Sequence, residues 1–183
     1  VNALLDDACT VSYVSERVVS ELGITGPQIE LPVKEVGSIT QRIPAQEVGM
    51  NLKDMEKKLC RRFRALALKT VTGDMRVINW RSAREGWTHL KDVIFPASSE
   101  RNTVDVLIGA DYLELHQSIR EIKGKVNEPI ARLTPLGWTC VGGCGTGLPY
   151  VHKTNFVQTF FGQEVEIEEV MKKFWEIEEV AGE

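Results

Sequence analysis

Ala3-Leu4-Leu5-Asp6-Asp7-Ala8-Cys9-Thr10 opens the chain with a short apolar run that ends on acidic residues and passes into small ones. A buried strand ending this way sets a carboxylate at the mouth of a tight turn, because small side chains let the backbone reverse unobstructed. The complementary stretch lies far along the chain, at Val104-Asp105-Val106-Leu107-Ile108-Gly109-Ala110-Asp111. There an apolar strand ends on glycine, which lets a second backbone lie close against it. The two stretches read together as one site built from distant segments of a mainly β chain.

Composition bounds the rest. At 183 residues and 43% hydrophobic content, the chain fits one domain with a real core plus an extension. It holds no apolar run of membrane-spanning length and no basic-then-apolar leader, so a soluble protein without a membrane partner is expected. Four cysteines, at positions 9, 60, 140 and 144, are too few and too scattered for a disulfide framework, which points to a reducing, intracellular and cytoplasmic setting. The last twenty residues hold eight glutamates against two lysines, a net −6 out of −4 for the whole, so the body carries +2. A nearly neutral body lacks the basic stripe that a phosphate backbone requires, and no direct nucleic-acid partner is expected.

Local patterns place the elements. Val11-Ser12-Tyr13-Val14 is strand-like, and Ser15 to Leu22 reads as a short helix with Ser15 as N-cap and Gly23 as its stop. Leu31 and Val33, then Ile39 and Ile43, flank Glu35-Val36-Gly37-Ser38 as the arms of a hairpin. Phe63 to Lys69 alternates as a half-buried strand, and Asp92-Val93-Ile94-Phe95-Pro96 reads as a strand closed by proline. Asp111, with Glu114 three positions on, has the form of an N-cap in a capping box, a structural role, and His116 is expected on the exposed side of the same helix. Ile119 to Ile122 and Ile130 to Leu133 read as a second hairpin. The glycine-rich stretch from Gly142 to Gly147 reads as a linker and lacks the context of a phosphate loop. Glu164 to Val180 reads as an amphipathic helix, with Ile167, Val170, Met171, Phe174, Trp175 and Ile177 in one apolar stripe.

Leu4-Leu5-Asp6-Asp7-Ala8 resembles the hydrophobic-hydrophobic-Asp-Thr/Ser-Gly motif of retropepsin-like aspartic proteases, and Leu107-Ile108-Gly109 resembles their second, apolar-apolar-Gly element. Val104 to Tyr112, and Glu128-Pro129-Ile130-Ala131-Arg132-Leu133-Thr134-Pro135-Leu136-Gly137-Trp138-Thr139-Cys140, are similar to the protease region of BEL/Pao-type LTR-retrotransposon polyproteins. The resemblance implies three parts: a retropepsin-like domain over residues 1–141 lacking its N-terminal strands, a linker over 142–154, and an extension over 155–183 leading toward reverse transcriptase. It further implies an acid-protease β-barrel lobe with short helices, a flap carried by Val36, Gly37 and Ser38, and an insertion between flap and second motif. A start inside the Asp6 strand, without an initiator methionine, suggests a piece of a longer polyprotein.

Peptide hydrolysis by aspartates needs two carboxylates close enough to share one proton, one serving as base on a water and the other as acid toward the carbonyl oxygen. The resemblance assigns this role to Asp6, and a homodimer would supply the second copy across its two-fold axis. Asp7 neighbours it, but strand alternation turns the two side chains apart. The implied partners are thus a second copy of the chain, a polyprotein peptide as substrate and the downstream reverse-transcriptase region. No cofactor is implied, and no metal: Cys140 and Cys144 with His116 and His152 lack a matched zinc spacing. Two positions depart from the family motif, Asp7 for a hydroxyl residue and Ala8 for glycine. They leave open an alternative, a catalytically inactive retropepsin-like module serving as folded spacer or dimerisation unit, in which Asp6 merely accepts turn amides.

Overall fold

The computed structural model describes residues 1–34, 40–56, 58–73, 75, 77–99, 101, 103–142 and 158–159. Along the chain run β1 (Ala3–Leu5), β2 (Tyr13–Ser15), helix α1 (Glu16–Glu21), β3 (Gln28–Lys34), β4 (Thr40–Lys53) and β5 (Cys60–Leu68). After short helical turns between Trp80 and Leu90 come β6 (Val106–Ile108), a 3-10 segment at Ala110–His116, β7 (Arg120–Ile122), β8 (Ile130–Thr134), β9 (Gly137–Val141) and β10 (Gln158–Thr159). The chain is mainly β. No helix among the described residues is long and apolar enough to cross a membrane.

Seven strands form a mixed sheet in the order β1-β6-β2-β5-β4-β3-β10, and β7-β8-β9 form a second sheet. The expected barrel is not closed among the described residues: β1 and β10 stand at opposite edges. Closure would need pairing along a free edge, and β1 offers three residues whose one partner is β6.

The centre of the large sheet explains the unbroken apolar runs of the sequence. In β6, Val106 and Ile108 enter one core cluster and Leu107 the other, so the strand is covered on both faces. In β5, Phe63, Ala65 and Ala67 face the first cluster, whereas Leu66 and Leu68 face the second. β4 pairs with β3 through its first half and with β5 from Gln46 onward. Pro44 falls in the half that β5 does not reach, where a missing N–H breaks no ladder on that side. Helix α1 forms as expected: the Ser15 hydroxyl accepts the Val18 N–H, Val18 and Val19 are buried, and Gly23 ends it at φ 62°.

The segment from Asp92 to Pro96 is a correction to the expected strand. It joins no sheet, yet its alternation is used: Val93 and Phe95 are buried with Leu90 and Ala131 in a satellite cluster, against which Trp80, Trp87 and Trp138 pack. Val93 and Phe95 find side chains to cover them, Ile94 stays exposed, and the segment pairs with no strand. His89 ties this segment to the β7–β8 connection, its Nε2 meeting Pro129 O at 2.9 Å and its Nδ1 lying 3.4 Å from Glu128 Oε2. The β7–β8 hairpin forms as expected, and β9 adds a third strand to it. Val36, Gly37 and Ser38, the linker beyond Gly142 and the amphipathic helix of the extension lie outside the described residues.

Candidate functional site

Asp6 stands immediately beyond β1. Parallel pairing sets Leu4 beside Leu107 and Leu5 beside Ile108, and the Asp6 N–H donates to Ile108 O at 3.0 Å. The chain then turns: Cys9 N–H donates to Asp6 O at 3.3 Å, and Ala8 N–H donates to the Asp6 carboxylate at Oδ1, 3.1 Å away. This is an Asx turn, and it orients the carboxylate. Asp7 and Ala8 are exposed on the turn, while Asp6 is half-buried. A shallow depression of about 500 Å³ is lined by Asp7, Leu113, Glu114, His116 and Gln117, with Asp6 not among its lining residues.

Gly109 is buried under this turn. A Cβ at that position would lie 2.7 Å from Cys9 O and 2.9 Å from the Val11 carbonyl, so the two backbones meet at a distance only glycine permits. Ala110 N–H completes the junction with a 2.7 Å bond to Cys9 O. Leu107, Ile108 and Gly109 therefore lie with Asp6 and Ala8, the juxtaposition expected of the two motifs.

Asp111 departs from its expected N-cap role. The 3-10 segment is capped at Gly109, which has no side chain to offer, and Asp111 lies in the first turn. Its carboxylate reaches back instead to Ser12, accepting the backbone N–H at 3.0 Å and the hydroxyl proton at 2.6 Å. The Ser12 Oγ in turn accepts the Gly109 N–H at 3.0 Å. A backbone N–H and a fully buried hydroxyl, both of which need an acceptor, take up the carboxylate in place of the local cap. Glu114 likewise closes no capping box; it pairs with Arg61 at 2.5 Å.

His116 is also corrected. It is half-buried rather than exposed, with Nε2 at 3.0 Å from Gly109 O. A carbonyl only accepts, so Nε2 carries the proton and the ring is the donor. The Gly109 carbonyl accepts a second bond, from Tyr112 N–H at 3.1 Å.

Cys9 fills the inside of the turn. Its thiol donates to Val11 O at 3.2 Å. Burial pushes its pKa up, a backbone hydrogen bond at Val11 partly offsets this, and the nearby Asp6 and Asp111 carboxylates push it up further. A thiol held neutral in this way is packing, not a nucleophile.

Sequence reasoning missed the anchor behind the site. Asp105 is 1% exposed, accepts the Asn2 N–H and pairs with the Arg17 guanidinium. The Asn2 side chain donates to Arg101 O at 2.8 Å and Thr103 O at 2.9 Å, and accepts from Ser99 N at 2.9 Å. An acidic residue inside an apolar strand, and an asparagine just ahead of one, were the available signals. Ser12 carried the same kind of signal, a small polar residue within the strand-like Val11-Ser12-Tyr13-Val14.

Among the described residues no group of three or more His, Cys, Asp or Glu side chains is placed to hold a metal ion. Cys144 and His152 lie outside those residues. Comparison of the chain with protein-family models, with curated proteins and with solved structures finds no match to any of them.

Proposed function

We propose that the chain is the aspartic endopeptidase region of a retrotransposon polyprotein, retropepsin-like in its lobe and completed by a second copy of itself. The observation that carries this reading is the junction of Asp6 with Gly109: a carboxylate at a strand end, its backbone bonded to Ile108, over a glycine pressed against Cys9 and Val11. With Oδ1 held by the Ala8 amide, the Asp6 carboxylate has a defined orientation at an open surface. Two such groups across a two-fold axis would hold a water between them, one taking its proton as the other protonates the substrate carbonyl oxygen. The substrate is an extended peptide of the polyprotein.

A second reading, an inactive folded spacer or dimerisation module of the same polyprotein, is favoured by Asp7. Its exposed carboxylate stands where the family motif has a hydroxyl, and two copies would add two further negative charges near the axis. The test is cleavage of polyprotein-junction peptides by the chain in its native sequence context, beside Asp6→Asn. Turnover abolished by Asp6→Asn supports the endopeptidase. Turnover that survives the substitution removes Asp6 from the mechanism, and a pure dimer without turnover favours the module.

A further inference from the structure

We infer that Asp111 and Ser12 form a clamp that positions the Asp6 turn, making both of them positioning residues. The argument begins with bond accounting. Ser12 is fully buried and has one hydroxyl proton, which goes to Asp111 Oδ1, while Asp111 Oδ2 accepts the Ser12 amide. This leaves the Ser12 Oγ lone pairs to receive the Gly109 N–H. The donor and acceptor of Gly109 are thereby both committed, its N–H to Ser12 and its carbonyl to His116 and Tyr112. Gly109 is in turn the floor of the turn, against Cys9 O and Val11.

The chain of contacts therefore runs from a surface carboxylate, through one buried hydroxyl, to the glycine on which the Asp6 turn rests. Neither Asp111 nor Ser12 bonds to Asp6 itself. Their effect on Asp6 passes through the backbone of residues 9–12, and its scale is set by geometry: a displacement of about 1 Å at a reacting group costs on the order of 100-fold in rate. In Asp111→Asn, one oxygen becomes an N–H donor, so either the Ser12 amide or its hydroxyl proton loses its acceptor. Ser12→Ala removes the relay altogether. Ser12→Thr retains the hydroxyl.

The kinetic arm of the test rests on the endopeptidase reading; the exchange arm does not. Amide hydrogen exchange is measured for Ser12, Gly109 and Ala110, with Phe63 and Val48 as core references, in the wild-type chain and the three variants. Asp111→Asn and Ser12→Ala should speed exchange at Gly109 and Ala110 by about tenfold or more with the references unchanged, and Ser12→Thr should restore protection. With junction peptide as substrate, the first two variants should lower kcat about 10- to 100-fold with KM nearly constant, and Ser12→Thr should recover kcat. Unchanged protection at Gly109 and Ala110, or an equal loss at the core references, overturns the clamp. Retained kcat in Asp111→Asn and Ser12→Ala also overturns it. Wild-type protein that cleaves nothing defeats the endopeptidase reading, and the exchange pattern then decides the clamp on its own.

Discussion

Asn2 and Asp105 are bonded to each other in both directions: the Asn2 N–H donates to Asp105 Oδ2 at 2.9 Å, and the Asp105 N–H donates back to Asn2 O at 2.9 Å. The reciprocal pair sits at the entry to β1 and β6 and sets the register that brings Leu5 beside Ile108. The Asp6 turn inherits its height from this anchor.

Asp105→Asn should test that dependence. The substitution keeps the shape but turns one oxygen into a donor facing the Asn2 N–H or the Arg17 guanidinium, leaving a buried donor unsatisfied. The expected loss is about 1–3 kcal/mol, read as a lower urea midpoint at unchanged m-value. A midpoint equal to the wild type would show that the anchor contributes nothing.

Gly109→Ala and Gly124→Ala offer a paired comparison of one added methyl. At Gly109 the new Cβ meets backbone, 2.7 Å from Cys9 O, and the strand and turn must separate at a cost of about 1–3 kcal/mol. At Gly124 it meets side-chain tips, Glu128 Oε2 at 2.1 Å and the His89 ring at 2.4 Å, which can swing away. Gly124→Ala should therefore cost less in the same denaturation series, with chemical-shift changes confined to His89 and Glu128. Equal costs would contradict the close backbone approach at Gly109.

Cys140 gives an alkaline signature. Its thiol is pushed up to about 11 by burial, from an ordinary 9.0. Between these values the unfolded chain has lost the proton and the folded one retains it, so unfolding releases a proton. The contribution of this group is complete below pH 9.0 and falls as pH rises through the folded value near 11. Cys140→Ala should flatten the decline of stability with pH across that window, as followed by urea midpoints. An identical slope in both proteins would refute the assignment.

Thiol labelling provides an independent measure. Cys60 is exposed, whereas Cys9 is buried and Cys140 half-buried. Iodoacetamide at pH 8 should modify Cys60 well before either of these, with the order lost in urea, as read by peptide mass mapping. Early labelling of Cys9 would mean that the turn opens readily.

The parts of the fold visible in the sequence were those decided by neighbours in the chain. Ser15 and Gly23 mark the ends of α1 because capping and positive φ are local requirements. The nearness of Asp6 to Gly109 was legible because the two motifs together resemble the paired elements of retropepsin-like proteases, and a glycine at the second permits the close backbone approach. Asp111, Glu114 and His116 were misjudged together, since their local spacing describes a capped helix while their actual partners are Ser12, Arg61 and Gly109. The strand expected at Asp92 to Pro96 failed for a related reason: alternation reports burial, and only a free neighbouring edge turns burial into a strand.

The bonds that seat the Asp6 turn beside β6 join residues 97, 99 and 103 positions apart. Such closures are slow, because the entropy of a long loop is lost before any contact rewards it. A ribosome adding about 5–20 residues each second leaves the Asp6 segment without its strand partner for several seconds. A nascent or prematurely ended chain that stops short of Gly109 thus carries the whole acidic motif and the bonds of its local Asx turn, but neither the strand nor the glycine that seats that turn.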